Sequence, residues 1–193
     1  MGGGISLKVA ILDSLPADDH QGSPGSFVAE EMGKTGIDSE VIFVNELHIL
    51  PCFSCEGCTK VTPGKCVAKD DTERFLKPMA ESDFIIGITE IRFGGYSSAF
   101  KKAADKFALL ATPYYYVRKG KLIHRKRYDR IKGFAVIGLA KELSSEAEEN
   151  FGLIVKRNAV NLSIDRQRAF VMNKEEFESN SIAEIVDFVK GCV

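Results

Sequence analysis

Five short apolar runs, each followed by a segment of helical spacing, recur along the 193-residue chain, and this alternation limits its fold more than any other feature. Residues 7–13, 39–45, 83–89, 133–138 and 168–172 read as strands, because short apolar runs bounded by polar loops are the mark of buried strands. Between them, Ser23-Pro24 offers an N-cap with proline at the first helical position, opening a helix through Met32 that Gly33 and Gly36 close. Further helices are predicted over 71–81, 97–110, 145–162 and 181–190; Ser145 with Glu148 three residues on reads as a capping box. Parallel strands need crossover helices, so the pattern predicts a doubly wound α/β sheet covered on both faces. The strand order 2-1-3-4-5 and a Rossmann-type arrangement are both open to it.

In either order, ligands sit beyond the carboxyl ends of the strands. The loops to search are therefore 13–23, 46–70, 89–96 and 138–145. No Gly-x-Gly-x-x-Gly follows the first strand and no Walker loop occurs, which disfavours a dinucleotide site and a P-loop. Lys and Arg total 26 against 27 Asp and Glu, a balance that argues against nucleic-acid binding. The longest apolar runs fall far short of the roughly 18 residues of a membrane span, and Met1 to Gly4 lacks the basic and apolar regions of a signal peptide. A cytoplasmic protein is expected, with residues 1–193 as one domain. Residues 113–130, rich in tyrosine and basic side chains, predict an inserted hairpin. Its basic cluster, Arg118 to Arg130, reads as a solvated face before it reads as a docking site for a phosphate or an acidic partner.

Four of the five cysteines, Cys52, Cys55, Cys58 and Cys66, fall within fifteen residues, in a cysteine-rich loop at 51–71; Cys192 stands apart. The spacing C-x2-C-x2-C-x7-C places three thiols at successive steps of three, and Pro63-Gly64 turns the fourth back toward them. Four soft thiolates suit a [4Fe–4S] cluster. Structural zinc more often uses two separated C-x2-C knuckles. A redox-sensitive thiol loop, a disulfide and plain buried cysteines are the remaining readings.

The stretch from Pro51 to Cys66, with Asp70-Asp71 after it, resembles the cysteine segment of iron–sulfur flavoproteins, in the NAD(P)H-dependent FMN reductase branch of the flavodoxin-like superfamily. Residues 91–106 (Ile-Arg-Phe-Gly-Gly-Tyr-Ser-Ser-Ala-Phe-Lys-Lys-Ala-Ala-Asp-Lys) are similar to that family's second flavin loop and the helix after it. Lys101 and Asp105 match its Lys-x-x-x-Asp-Arg pattern, with Lys106 in place of the arginine. The resemblance implies the flavodoxin-like order 2-1-3-4-5. It implies FMN contacted by Ser14, Gln21, Ser23 and Ser26 in the first loop, by Thr89, Glu90, Arg92, Phe93, Gly94, Gly95 and Tyr96 in the second, and by Leu139 and Ala140 in the third. It also implies a [4Fe–4S] cluster on the four clustered cysteines, NAD(P)H or a redox protein as partner, and a homodimer or homotetramer.

The chain departs from the family in two places. Its first loop, residues 13–26, has no Lys or Arg and carries Asp13, Asp18 and Asp19, where the family has small polar donors and an arginine for the FMN phosphate. Glu90 stands where the family favours proline. The function expected is thus FMN-dependent electron transfer with a cluster. A cluster-free NAD(P)H-dependent FMN or quinone reductase and a non-catalytic subunit with a metal or thiol loop are its rivals. No side chain is expected to act as a general acid or base.

Overall fold

The computed structural model describes residues 7–16, 22–118, 120–174, 177 and 179–191. In chain order its strands are β1 (Lys8–Asp13), β2 (Asp38–Phe43), β3 (Phe84–Arg92), β4 (Gly95–Tyr96), β5 (Ala111–Arg118), β6 (Lys121–Lys126), β7 (Gly133–Ala140) and β8 (Arg166–Asn173). The central sheet runs β2-β1-β3-β7-β8, every one of these pairs parallel. Counting the parallel strands alone, this is 2-1-3-4-5, the flavodoxin-like order, and the Rossmann-type alternative falls. The short β4 turns back antiparallel on β3, while β5 and β6 form a separate antiparallel hairpin.

The helices are α1 (Pro24–Lys34), α2 (Gly57–Lys60), α3 (Thr72–Ala80), α4 (Ser98–Ala104), α5 (Ser145–Asn161) and α6 (Ser179–Lys190). Two differ from expectation. Residues 97–110 do not make one helix: Lys106 N–H bonds the carbonyl of Ala103, three residues back, and the chain continues as a 3-10 turn over Phe107–Leu110. This tightening lets the Lys106 side chain run inward. At α5, Ser144 rather than Ser145 is the cap, accepting from Ala147 N–H, so the position three residues on is alanine and the capping box is not formed. Tandem serines allow either to cap, and the adjacent one wins.

Alternation along each strand sends side chains to two cores. Ala10, Leu12, Ile85, Phe134 and Val136 meet α3, α4 and α5 through Phe75, Phe100 and Phe151. Val9, Ile11, Phe84, Ile86, Ala135 and Ile137 meet α1 and α6 through Val28, Met32, Ile182 and Ile185. Burying each such side chain is worth about 1.5–3 kcal/mol of transfer free energy. At the opposite end of the sheet from the candidate site, Asp83 ties three segments together. It accepts from Lys8 N–H and from both Nε and Nη2 of Arg130. Burial pushes its carboxyl up, and the bonds from Arg130 and Lys8 more than reverse this, holding it below the usual range.

Gly87, in the middle of β3, is what lets α4 lie on the sheet. A Cβ there would stand 2.3 Å from Cζ of Phe100, whose ring is fully buried. Gly87→Ala is expected to destabilise the chain by about 1–3 kcal/mol through overpacking. A lower urea midpoint at unchanged slope would show it, and an unchanged midpoint would refute it.

Candidate functional site

β3 outruns its neighbour. Its last pairing with β1 is Asp13 with Ile88, and four more residues, Thr89 to Arg92, continue beyond it. The expected loop 89–96 is therefore a strand extension, a two-residue turn and the return strand β4. The turn residues Phe93 (φ 51°) and Gly94 (φ 70°) are both left-handed. Gly94 leans on Ala147 in the first turn of α5, and the Phe93 side chain is fully exposed.

Behind this projection lies a buried polar lattice. Ser14 gives both its N–H (3.0 Å) and its hydroxyl (2.8 Å) to the Ile88 carbonyl, and its own carbonyl accepts from Asn45 Nδ2 at 2.6 Å. Ser97, the cap of α4, gives its N–H to Thr89 Oγ1 at 3.0 Å, and its hydroxyl lies 3.4 Å from that of Ser14. Ser14 and Thr89 are thus buried and engaged within the fold, Thr89 Oγ1 accepting from Ser97 N–H and donating to Ser97 Oγ at 3.0 Å. Glu90 bridges Arg92 (2.5 Å) and Lys174 (2.7 Å), joining the ends of β3 and β8. The Lys174 hydrogen bond, aided by Arg92 and opposed by burial, holds its carboxyl below the usual range.

Two expected contacts face elsewhere. Tyr96 packs edge-on against Phe100 and Phe151 and accepts from Asn158 Nδ2 at 2.9 Å, so it belongs to the core under α5; burial raises its phenol. Leu139 is buried in the α1–α6 core, while Ala140, half-buried, stays at the edge. Arg92, Phe93, Gly94 and Gly95 stand together on the projecting turn. Gln21 lies outside the described residues.

Sequence reasoning passed over Asp13 as a partner. The residue is 1 % exposed, and its carboxylate accepts from Leu15 N–H through Oδ1 (2.9 Å) and from Gly25 N–H through Oδ2 (2.8 Å). In the first turn of α1, Pro24 has no N–H, Ser26 N–H bonds Ser23 Oγ (3.1 Å) and Phe27 N–H bonds the Ser23 carbonyl (3.0 Å). A charged residue closing an apolar run was the signal. Lys174 and Ser97 left none.

The cysteine loop leaves the body through a clamped neck. Leu50 N–H bonds Asp70 and His48 N–H bonds Asp71, while Asp71 N–H returns to the His48 carbonyl. Asp70 also pairs with Lys106, the side chains being 0 % and 2 % exposed, and Lys106 Nζ further reaches Thr72 Oγ1 at 2.8 Å and Cys66 Sγ at 3.7 Å. Within the loop, Cys58 and Cys66 pack partly on the core, whereas Cys52 and Cys55 are exposed. No three His, Cys, Asp or Glu side chains among the described residues gather as a metal site. The donor set, four thiols in one loop, fits a four-thiolate centre in kind.

A doubly wound sheet with a turn projecting at its carboxyl edge defines a chain of the flavodoxin-like class. A family model described as NADPH-dependent FMN reductase matches residues 9–127, and the chain belongs to that family. It is 34 % identical over 79 residues to an iron-sulfur flavoprotein of Archaeoglobus fulgidus, and 37 % identical over 79 residues to one of Methanocaldococcus jannaschii. Each match covers 41 % of this chain and 38 % of the relative's length. An NAD(P)H:quinone oxidoreductase from Methanothermobacter marburgensis shares the fold (TM-score 0.62, 14 % identity, 97 % of this chain and 95 % of that one). So does an FMN-dependent NADH-azoreductase from Bacillus anthracis (TM-score 0.63, 11 % identity, 96 % and 98 %). Among the described residues no helix is long and apolar enough to cross a membrane.

Burial pushes the Asp70 carboxyl up, but hydrogen bonds from Lys106, Thr72 and Leu50 outweigh it and hold the group at about 2, against 3.8 for a free aspartate. A lowered folded-state value stabilises above the unfolded one, so this contribution is complete above about pH 4 and lost as pH falls through about 2. Asp70→Asn leaves the Lys106 charge buried without its counterion and should cost about 3 kcal/mol at neutral pH. Denaturant titrations should show the gap from wild type closing between about pH 4 and 2; a gap independent of pH there would refute the assignment.

Proposed function

We propose that this chain is a flavin-dependent oxidoreductase that takes electrons from NAD(P)H and delivers them to an acceptor, its flavin ring lodging at the carboxyl edge of β3 and β7. The observation that carries the reading is the run of β3 past the end of β1, closed by a turn whose Phe93 side chain is fully exposed. Membership of the FMN reductase family supports it. A bound flavin accepts a hydride and releases electrons singly or in pairs. The chain's own part is binding and orientation. Phe93 offers an aromatic surface, and Arg92 and Lys174 positive charge fixed by Glu90.

FMN adds a phosphate to that ring, and the described residues do not fit it as they fit the ring. Ser14 and Ser23 are engaged within the fold, and no first-turn N–H of α1 is left over. A [4Fe–4S] cluster on Cys52, Cys55, Cys58 and Cys66 is the second part of the proposal, supported by the C-x2-C-x2-C-x7-C spacing and by relatives named for such a centre. Its rival is a cluster-free reductase. Copies of the chain are proposed to pair, because Tyr114, Tyr115, Val117 and Leu122 lie exposed together on the β5–β6 hairpin.

Anaerobically purified protein, assayed for absorbance, iron and sulfide, tests both parts. Saturable binding of a flavin below about 100 μM, worth about 5.5 kcal/mol, is expected, together with flavin-dependent NAD(P)H oxidation. Binding of neither riboflavin nor FMN would move the chain to the non-catalytic subunit reading. Cys55→Ser should lose iron and keep flavin, since the two use different loops. Iron and sulfide retained in full by that variant would end the four-thiolate assignment.

A further inference from the structure

The amino end of a helix attracts anions because its first N–H groups lack partners and its dipole is positive there. In α1 both attractions are already answered from within the chain. Asp13 places one carboxylate oxygen on Gly25 N–H and the other on Leu15 N–H, so a single side chain bridges the strand end and the helix start as a bound anion would. The approach is close: a Cβ on Gly25 would stand 2.8 Å from Asp13 Oδ2 and 2.9 Å from its Cβ. Asp13 is 1 % exposed, so the carboxylate is held within the fold. Ser14, the next residue, spends its N–H and hydroxyl on Ile88. Across residues 13–26 the sequence contains no Lys or Arg to offset a second negative group.

We infer that Asp13 is a built-in anion at the amino end of α1 and a specificity-determining residue, so that this chain takes an unphosphorylated flavin in preference to FMN. The inference rests on the flavin reading above. A phosphate dianion brought to this helix meets a buried like charge and no uncommitted first-turn N–H. The ring, held at the β3 projection, loses nothing when the phosphate is absent.

The test is a titration of the apo-chain with riboflavin and with FMN, followed by quenching of flavin fluorescence, in wild type and in Asp13→Ser. Wild type should bind riboflavin at least as tightly as FMN. Asp13→Ser, which removes the charge and frees Gly25 N–H, should shift the ratio toward FMN by about tenfold, or 1.4 kcal/mol. Circular dichroism establishes that the variant is folded. Should it not fold, the wild-type ratio decides alone, with the release of FMN or riboflavin by added inorganic phosphate as a second measurement. Insensitivity of both to phosphate is expected. FMN binding to wild type more tightly than riboflavin, or displacement of FMN alone by phosphate, overturns the inference and leaves the flavin reading standing. Binding of neither flavin overturns both.

Discussion

β3 is hydrogen-bonded along both edges and covered on both faces, and the rest of the molecule is arranged around that burial. A parallel strand in this position has no solvent side, so every residue from Phe84 to Ile88 must satisfy a core. Phe84, Ile86 and Ile88 face α1 and α6, while Ile85 and the bare backbone of Gly87 face α4. Once Phe100 fills the space over Gly87, the α4 cap at Ser97 is brought against Thr89 and Ser14. The polar lattice at the carboxyl edge is therefore a consequence of packing deeper in the strand. Only past Ile88, where β1 stops, does β3 escape its neighbour and present a turn to solvent.

Two buried carboxylates organise the loops that leave this frame, and they do so by different means. Asp70 is neutralised by Lys106, so its position depends on a cation delivered from the end of α4, 36 residues away in sequence. The pair fastens both ends of the cysteine loop. Asp13 works through backbone N–H groups within twelve residues and needs no cation from α4 to hold the end of β1 against α1. In the first loop an aspartate, Asp13, occupies the amino end of α1 through Gly25 N–H.

Lys106 also shows why a helix that looks continuous in sequence is not. Residues 97–110 contain good helix formers throughout, and local propensity favours extending α4. The ion pair with Asp70 requires the Lys106 side chain to enter the protein, which the tighter 3-10 geometry allows. Tertiary burial of a charge with its partner overrides a preference worth only tenths of a kcal/mol per residue.

Strand and helix alternation determined by itself that the sheet is parallel and doubly wound, because apolar runs too short to span and too apolar to face water have few other resting places. It likewise singled out the carboxyl edge and the cysteine spacing, since both are local patterns along the chain. Which side chains meet at that edge was decided only in three dimensions. Tyr96, next to the projecting turn, and Leu139, on β7, point into opposite cores. Lys174, remote in sequence, arrives beside Glu90 because β8 ends level with β7. Asp13 becomes an internal anion only because the close approach of Gly25 brings a helix terminus onto it. Periodicity records which residues are buried, but the partners of a buried polar group come from other segments, and only packing brings those segments together.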